Sequence, residues 1–219
     1  MINLKIKMIS KEKCIAIITA REGSKRIKNK NIISFFGKPI ISYSIKAAKK
    51  SKLFQDIIVS TDSKKIKKIS LQHGASVPFL RSKKLADDKT GTHKVVKNFL
   101  KNSKKKYDYV CCIYPTAPLI RYKDLIKGYE KLKKNKSKYI FSANLVKKSK
   151  KKFFTRGQNK FEDSGQFYWG TYNKWMKNSN LIGKESLIIK VPLSNAHDLN
   201  DFDDLKILQK KSLKLKIKN

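Results

Sequence analysis

Cys14-Ile15-Ala16-Ile17-Ile18-Thr19-Ala20-Arg21-Glu22-Gly23-Ser24-Lys25-Arg26 begins as an unbroken apolar run and turns at once into a charged loop. An apolar run of this length, rich in isoleucine, reads as a strand buried on both faces. The loop that follows holds a glycine, a serine and three cations. Backbone amides beside Gly23 can approach a polyphosphate closely, and Arg21, Lys25 and Arg26 can neutralise it. A buried strand that delivers such a loop predicts the handling of a nucleoside triphosphate. A basic surface loop is the plain alternative, because Gly23 is a lone glycine.

Outward from this stretch, apolar and amphipathic runs alternate. Pro39–Ser51 reads as a helix with Pro39 in its first turn and Ile41, Ile45 and Ala48 on one face. Asp56–Ser60 reads as a strand, and Asp62 as the cap of a helix that carries Ile66 and Ile69. Val77–Leu80 is short and extended. Thr92–Lys101 is helical, with Val95, Val96 and Phe99 inward. Tyr107–Tyr114 is a core strand that ends in the loop Pro115-Thr116-Ala117-Pro118. Arg121–Lys134 is a helix, Tyr139–Asn144 a strand, and Lys147–Lys152 a solvated basic run. Gln166–Trp169 and Leu187–Val191 are strands, and Asp201–Lys211 is the last helix, capped by Asp201 with Asp204 in support. This alternation predicts an α/β fold of three layers, a mostly parallel central sheet with helices on both faces. Ligands of such folds bind beyond the carboxyl ends of the strands. Arg21–Asn31, Thr61-Asp62, Tyr114–Pro118 and Asp198–Asn200 are four loops at those ends.

The chain of 219 residues suits one domain, with basic tails at 1–12 and 213–219. No run of 18 apolar residues exists to span a membrane. The start, alternating Lys with Ile, Leu and Met, does not read as a secretory signal, and a cytoplasmic location is expected. Cys14, Cys111 and Cys112 lie in apolar runs without zinc-ligand spacing and read as buried thiols. With 53 Lys and Arg against 16 Asp and Glu, the formal net charge is +37. Such a field attracts polyanions, which makes a nucleic-acid-binding protein one reading. The lysines, however, are spread over exposed helix faces and the tails, and no basic motif interleaved with aromatics stands out. A compositional bias toward Lys, Ile and Asn accounts for them better.

Ile17–Asn31 resembles the nucleotide-binding signature of the acylneuraminate cytidylyltransferases, which make CMP-activated nonulosonic acids. The likeness continues through Phe36-Gly37-Lys38-Pro39-Ile40, Val59-Ser60-Thr61-Asp62, Val77–Arg81 and Leu85–Thr92. Asp108–Tyr114 and Asp163–Gly170 are similar to the branch that activates pseudaminic acid. The sialic acid branch has Gln where this chain has Tyr114. The resemblance implies a Rossmann-like nucleotidyltransferase fold, and CTP and a nonulosonic sugar acid as partners. It also implies Mg2+ as cofactor and, as in relatives, a homodimer. By position, Arg21, Gly23, Ser24, Lys25 and Lys30 would hold the triphosphate, with Asn31 near the nucleotide. Arg81 would read the cytosine, and Thr90 and Thr92 would line the base and ribose pocket, although Thr92 suits a helix cap equally well. Tyr114, Thr116, Gln166, Tyr168 and Trp169 would face the sugar acid. Asp198 and Asn200 would bind the metal, and Arg21, Lys25 and Asp198 would be the catalytic set.

The chain departs from the family pattern at several places. Asn200 stands where a second metal-binding aspartate is usual, and offers an oxygen without charge. Thr19 and Lys28 replace prolines. Glu22 puts an anion beside a phosphate site, so it must point away or pair with a lysine. The segment 142–163 is shorter than its counterpart by roughly twenty residues, where deletions are easiest. No histidine suggests a general base; His197, beside Asp198, reads as structural. Three readings therefore stand: a cytidylyltransferase for pseudaminic acid or for legionaminic or N-acetylneuraminic acid, a catalytically weakened CTP-binding relative, and a basic nucleic-acid-binding protein.

Overall fold

The structure is a computed structural model that describes residues 12–146, 154–177 and 180–216. The basic run at Lys147–Lys152 and most of both expected tails lie outside the described residues.

The apolar run forms β1 (Cys14–Thr19) at the heart of a seven-stranded sheet. On one side it pairs in parallel with β4 (Asp56–Ser60), and on the other with β5 (Tyr109–Ile113). Two short strands, β2 (Ser34–Phe35) and β3 (Lys38–Pro39), form a separate hairpin before α1 (Ile41–Ser51). Pro39 therefore precedes the helix expected to contain it, paired with Ser34 across the hairpin. Next to β5 comes β8 (Asn159–Thr171), which runs antiparallel to both β5 and β6 (Ile140–Val146). β9 (Leu187–Lys190) pairs in parallel with β6 at the edge, and β7 (Phe154–Arg156) extends β8. All strands of the large sheet but β8 share one direction. β8 is far longer than the apolar core Gln166–Trp169 suggested, because its amino half is polar and pairs with the bulged outer end of β6.

Alternate residues of β1 send Cys14, Ala16 and Ile18 to one core, and Ile15 and Ile17 to the other. The first core is covered by α1, α2 (Lys64–Gln72) and α4 (Tyr122–Lys134) through Ile41, Ile45, Ile66, Leu125 and Leu132. The second is covered by α3 (Thr92–Asn102) and α5 (Tyr172–Met176) through Val96, Phe99 and Trp175. This is the three-layer arrangement read from the sequence. A third cluster, with Ile27, Phe35, Leu199 and Leu208, packs α6 (Phe202–Lys214) beneath the loops at the carboxyl ends of the strands. Asp201 and Asp204 close a reciprocal capping box on α6, as expected. Two other caps differ. Ser63, not Asp62, caps α2 by accepting from the Ile66 amide at 3.4 Å. Gly91 occupies the cap position of α3, so Thr92 is its first helical residue.

At the opposite end of the sheet, Glu12 is clamped between β5 and α4. It accepts from Tyr129 at 2.7 Å and Tyr109 at 3.1 Å, and pairs with Lys133 at 2.9 Å. The Tyr129 and Lys133 hydrogen bonds lead in drawing its carboxyl down to about 2. The three cysteines are buried and unpaired. Among the described residues no helix is long and apolar enough to cross a membrane.

Candidate active site

The four loops expected at the carboxyl ends of the strands do meet. The first loop leaves β1 with the Ala20 amide bonded to the Ser60 carbonyl at 3.0 Å. Asn31 folds it back by donating its side-chain amide to the Arg21 carbonyl at 2.8 Å, and is itself buried. Glu22 is turned out of the way. Its backbone amide donates to Asp62 at 2.9 Å, and its carboxylate accepts from the Ser63 hydroxyl at 2.9 Å. The acid beside the phosphate loop thus pairs with a serine at the start of α2, not with a lysine. Lys30 reaches the last loop and donates to the Leu199 carbonyl at 3.1 Å.

These loops enclose two adjoining cavities, of about 200 and 340 Å³, which share Lys30, Tyr114 and Thr116. They are two compartments of one cleft. The first brings together Arg21, Gly23, Ser24, Lys30 and Asn31 from the first loop. Arg81, Thr90 and Thr92 complete its far wall. Lys25 stands at the rim with its side chain 87% exposed, and pairs with Asp88 at 2.8 Å. Asp88 also pairs with Arg21, so one carboxylate holds two cations assigned to phosphate. Hydrogen bonds from Lys25 and Arg21 keep the Asp88 carboxyl below the usual carboxylate range. Arg81 is buried, with its backbone amide bonded to the Thr61 carbonyl at 2.7 Å. Its Nε has no partner within the protein. A buried donor of this kind calls for an acceptor from a ligand or water.

Lys30 is held below the ordinary lysine value by burial first, and then by the charges of Arg26 and Arg21. It is the cation at the boundary between the compartments. The second compartment is lined by Glu162, Asp163, Gly165, Asp198 and Asn200. Asn200 accepts from Arg26 at 3.3 Å. A Cβ at Gly165 would run into the Asp198 carboxylate, and Gly165 has φ +61°, so glycine is needed there on two counts. Among the described residues no three His, Cys, Asp or Glu side chains surround a common point that could hold a metal. A protein cage for a metal is therefore absent from them. Asp198 and Asn200 offer oxygens of the kind that suit an ion sharing its shell with phosphates and water. His197 points elsewhere, pairing with Asp204 at 2.6 Å.

The residues expected at the sugar acid divide. Tyr114 and Thr116 line both compartments. Tyr168 lies behind them, buried, with its hydroxyl donating to Asp163. Gln166 is 2% exposed, and its amide nitrogen donates to the Asn195 carbonyl at 2.6 Å, so it supports the last loop from beneath and lines neither compartment. Trp169 corrects the reading outright. It is fully buried in the core on the same face as Phe167, stacked 5.3 Å from Phe54. A Cβ at Gly128 of α4 would come within 2.7 Å of its ring, which leaves no room for a ligand. Three acids were not singled out from the sequence: Asp88, Glu162 and Asp163. The scarcity of acids, 16 against 53 cations, was the available signal, since each carboxylate near a loop of cations has a partner to account for.

Comparison with known proteins agrees with this geometry. The cytidylyltransferase family matches residues 15–180. The pseudaminic acid cytidylyltransferase of Campylobacter jejuni subsp. jejuni serotype O:2 is 36% identical over 90% of this chain and 97% of its own. The CMP-N,N'-diacetyllegionaminic acid synthase of Legionella pneumophila is 38% identical over 60% of this chain and 58% of its own. Among solved structures, CMP:2-keto-3-deoxy-manno-octonic acid synthetase complexed with CTP superposes with a TM-score of 0.74 at 12% identity. That match covers 94% of this chain and 100% of the other.

Proposed function

The chain belongs to the cytidylyltransferase family, and from that premise we propose that it joins a nonulosonic acid, pseudaminic acid first among them, to CTP. The products are the CMP-sugar and pyrophosphate. The observation that carries this reading is the divided cleft. A compartment rich in cations and amides meets one rich in carboxylates, and Lys30, Tyr114 and Thr116 belong to both. A nucleoside triphosphate fits the first by charge. A polyhydroxylated acceptor fits the second, where acidic side chains accept from its hydroxyl and amide groups.

At the shared boundary the anomeric hydroxyl of the sugar acid faces the α-phosphorus. The new oxygen–phosphorus bond forms there as the bond to the β-phosphate breaks. Catalysis of this kind rests on positioning and charge neutralisation. Arg21 and Lys30 bind the phosphate oxygens, and Lys25 meets the departing pyrophosphate from the rim. Gly23 and Ser24 supply amides, and Asn31 fixes the loop that carries them. Arg81 brings an unpartnered donor to the O2 and N3 acceptors of cytosine. Asp198, assisted by Asn200, would hold Mg2+, which supplies neutralisation of phosphate charge when bound. The cytoplasm, where the three unpaired cysteines stay reduced, is the proposed location. A homodimer belongs to the same proposal.

The test is incubation with CTP, Mg2+ and separate nonulosonic acids, with pyrophosphate measured. Release with pseudaminic acid alone is the expected result. Release with legionaminic or N-acetylneuraminic acid instead would reassign the substrate. CTP binding with no release for any acid would identify a weakened relative. No CTP binding, together with tight salt-dependent binding of DNA or RNA, would favour the basic polyanion reading.

A further inference from the structure

The Thr92 and Tyr114 hydroxyls lie 2.8 Å apart, and geometry alone allows either to donate. Tyr114 also shares a side-chain hydrogen bond with Tyr168. Tyr168 in turn donates to Asp163 Oδ2, while Asp163 Oδ1 accepts from the Gly165 amide at 2.9 Å. The chain of hydroxyls thus runs from the first compartment to a carboxylate that lines the second.

Its direction follows from proton counting. An ionised carboxylate only accepts, and a phenol has one proton to give. Tyr168 gives its proton to Asp163, so its oxygen must accept from Tyr114. Tyr114 gives its proton to Tyr168, so its oxygen must accept from Thr92. Thr92 turns its proton toward Tyr114 and shows only lone pairs to the first compartment. Burial pushes the Tyr114 phenol up to about 12 and raises the Tyr168 phenol well above its ordinary value, so both keep their protons.

We propose that Asp163, acting through Tyr168 and Tyr114, makes Thr92 an acceptor-only contact and so selects a nucleotide that places a hydrogen-bond donor against it. This rests on the nucleotide reading of the first compartment. The donor is either the exocyclic amine of cytosine or a ribose hydroxyl. Uracil presents a carbonyl in place of the amine, and a deoxyribose lacks the hydroxyl. Thr92 is then the specificity contact, and Asp163 is a positioning residue that need not touch the nucleotide.

The experiment measures dissociation constants for CTP, UTP, 2′-deoxy-CTP and 3′-deoxy-CTP without sugar acid. The proteins are wild type, Asp163→Asn, Tyr168→Phe and Thr92→Val. Asparagine at 163 keeps an oxygen for the Gly165 amide and turns an amide donor toward Tyr168, which lets the chain reverse. Tyr168→Phe breaks the chain by an independent route and guards against a folding defect in the first variant. The expected result is that one preference falls about three- to tenfold in all three variants, the worth of one neutral hydrogen bond. Loss of the CTP-over-UTP preference assigns the amine, and loss of a CTP-over-deoxy preference assigns the hydroxyl. If every ratio stays at its wild-type value in Asp163→Asn and Tyr168→Phe while CTP still binds, the inference is overturned and the nucleotide reading stands. A wild-type protein that fails to bind CTP overturns both.

Discussion

The Lys30 ammonium donates to the Leu199 carbonyl at 3.1 Å, so one side chain ties the first loop of the sheet to the last. It stands where the two compartments meet, with Asp198 and Asn200 on either side of its acceptor in sequence. Loss of that ammonium both frees the last loop and removes a charge from the phosphates. Lys30→Met, which keeps the length of the stem, is expected to lower kcat/KM about 100-fold, as removal of a preorganised donor does. A pyrophosphate-release assay that finds the variant within twofold of wild type would exclude Lys30 from the reaction.

Asp88 competes with the nucleotide for Arg21 and Lys25. Both partners lie at an exposed rim, where an ion pair is worth at most about 1 kcal/mol. Asp88→Asn is therefore expected to tighten CTP binding by about two- to fivefold, within the range such a pair allows. Calorimetric titration with CTP reads this directly. Weaker binding would show instead that Asp88 orients the two cations for the phosphates.

Gly165 combines positive φ with a carboxylate against its α-carbon. Gly165→Ala is expected to cost about 1–2 kcal/mol in backbone strain alone. It should also displace Asp198, weakening Mn2+ binding measured by electron paramagnetic resonance in the presence of CTP. The neighbouring Ser164 hydroxyl is buried without a partner, so Ser164→Ala should leave stability near wild type. Equal metal affinity in Gly165→Ala and wild type would remove Asp198 from the metal site.

Glu12 links stability to acid. Its carboxyl is lowered from 4.5 to about 2 in the folded chain. A depressed carboxylate contributes stability above its unfolded value and loses it as the pH falls through the folded one. Wild type should therefore be more stable than Glu12→Gln at pH 7, and the difference should shrink between about pH 4.5 and pH 2. Denaturant midpoints of the two proteins across that window test it. A difference that does not change with pH would mean the tyrosine contacts stabilise without the charge.

The layers of the fold were legible because a parallel sheet writes its strands as apolar runs and its helices as amphipathic ones. The loop cluster followed from where those strands end. Trp169 was misplaced because β8 is covered on both faces. Alternation there separates two cores rather than core from solvent, so Tyr168 and Trp169 are both buried. The direction of β8 was not legible, since nothing in Gln166–Trp169 distinguishes an antiparallel insertion from another parallel strand. Asp62 gave way to Ser63 as a cap because the Glu22 amide already engages its carboxylate, a contact across the fold that local propensity does not see. Asp163 was hidden for a similar reason. Its importance lies in a chain of hydroxyls assembled from α3, β5 and β8, elements far apart in sequence.

The reversed central strand also governs how the protein can be made. β6 is translated before β8, yet its neighbours in the sheet are β8 and β9. On the ribosome, β1, β4 and β5 can assemble as soon as they clear the exit tunnel. Ile140, Phe141 and Ala143 must wait unpaired until residue 171 has emerged, which makes this interval the one in which a nascent chain needs a chaperone.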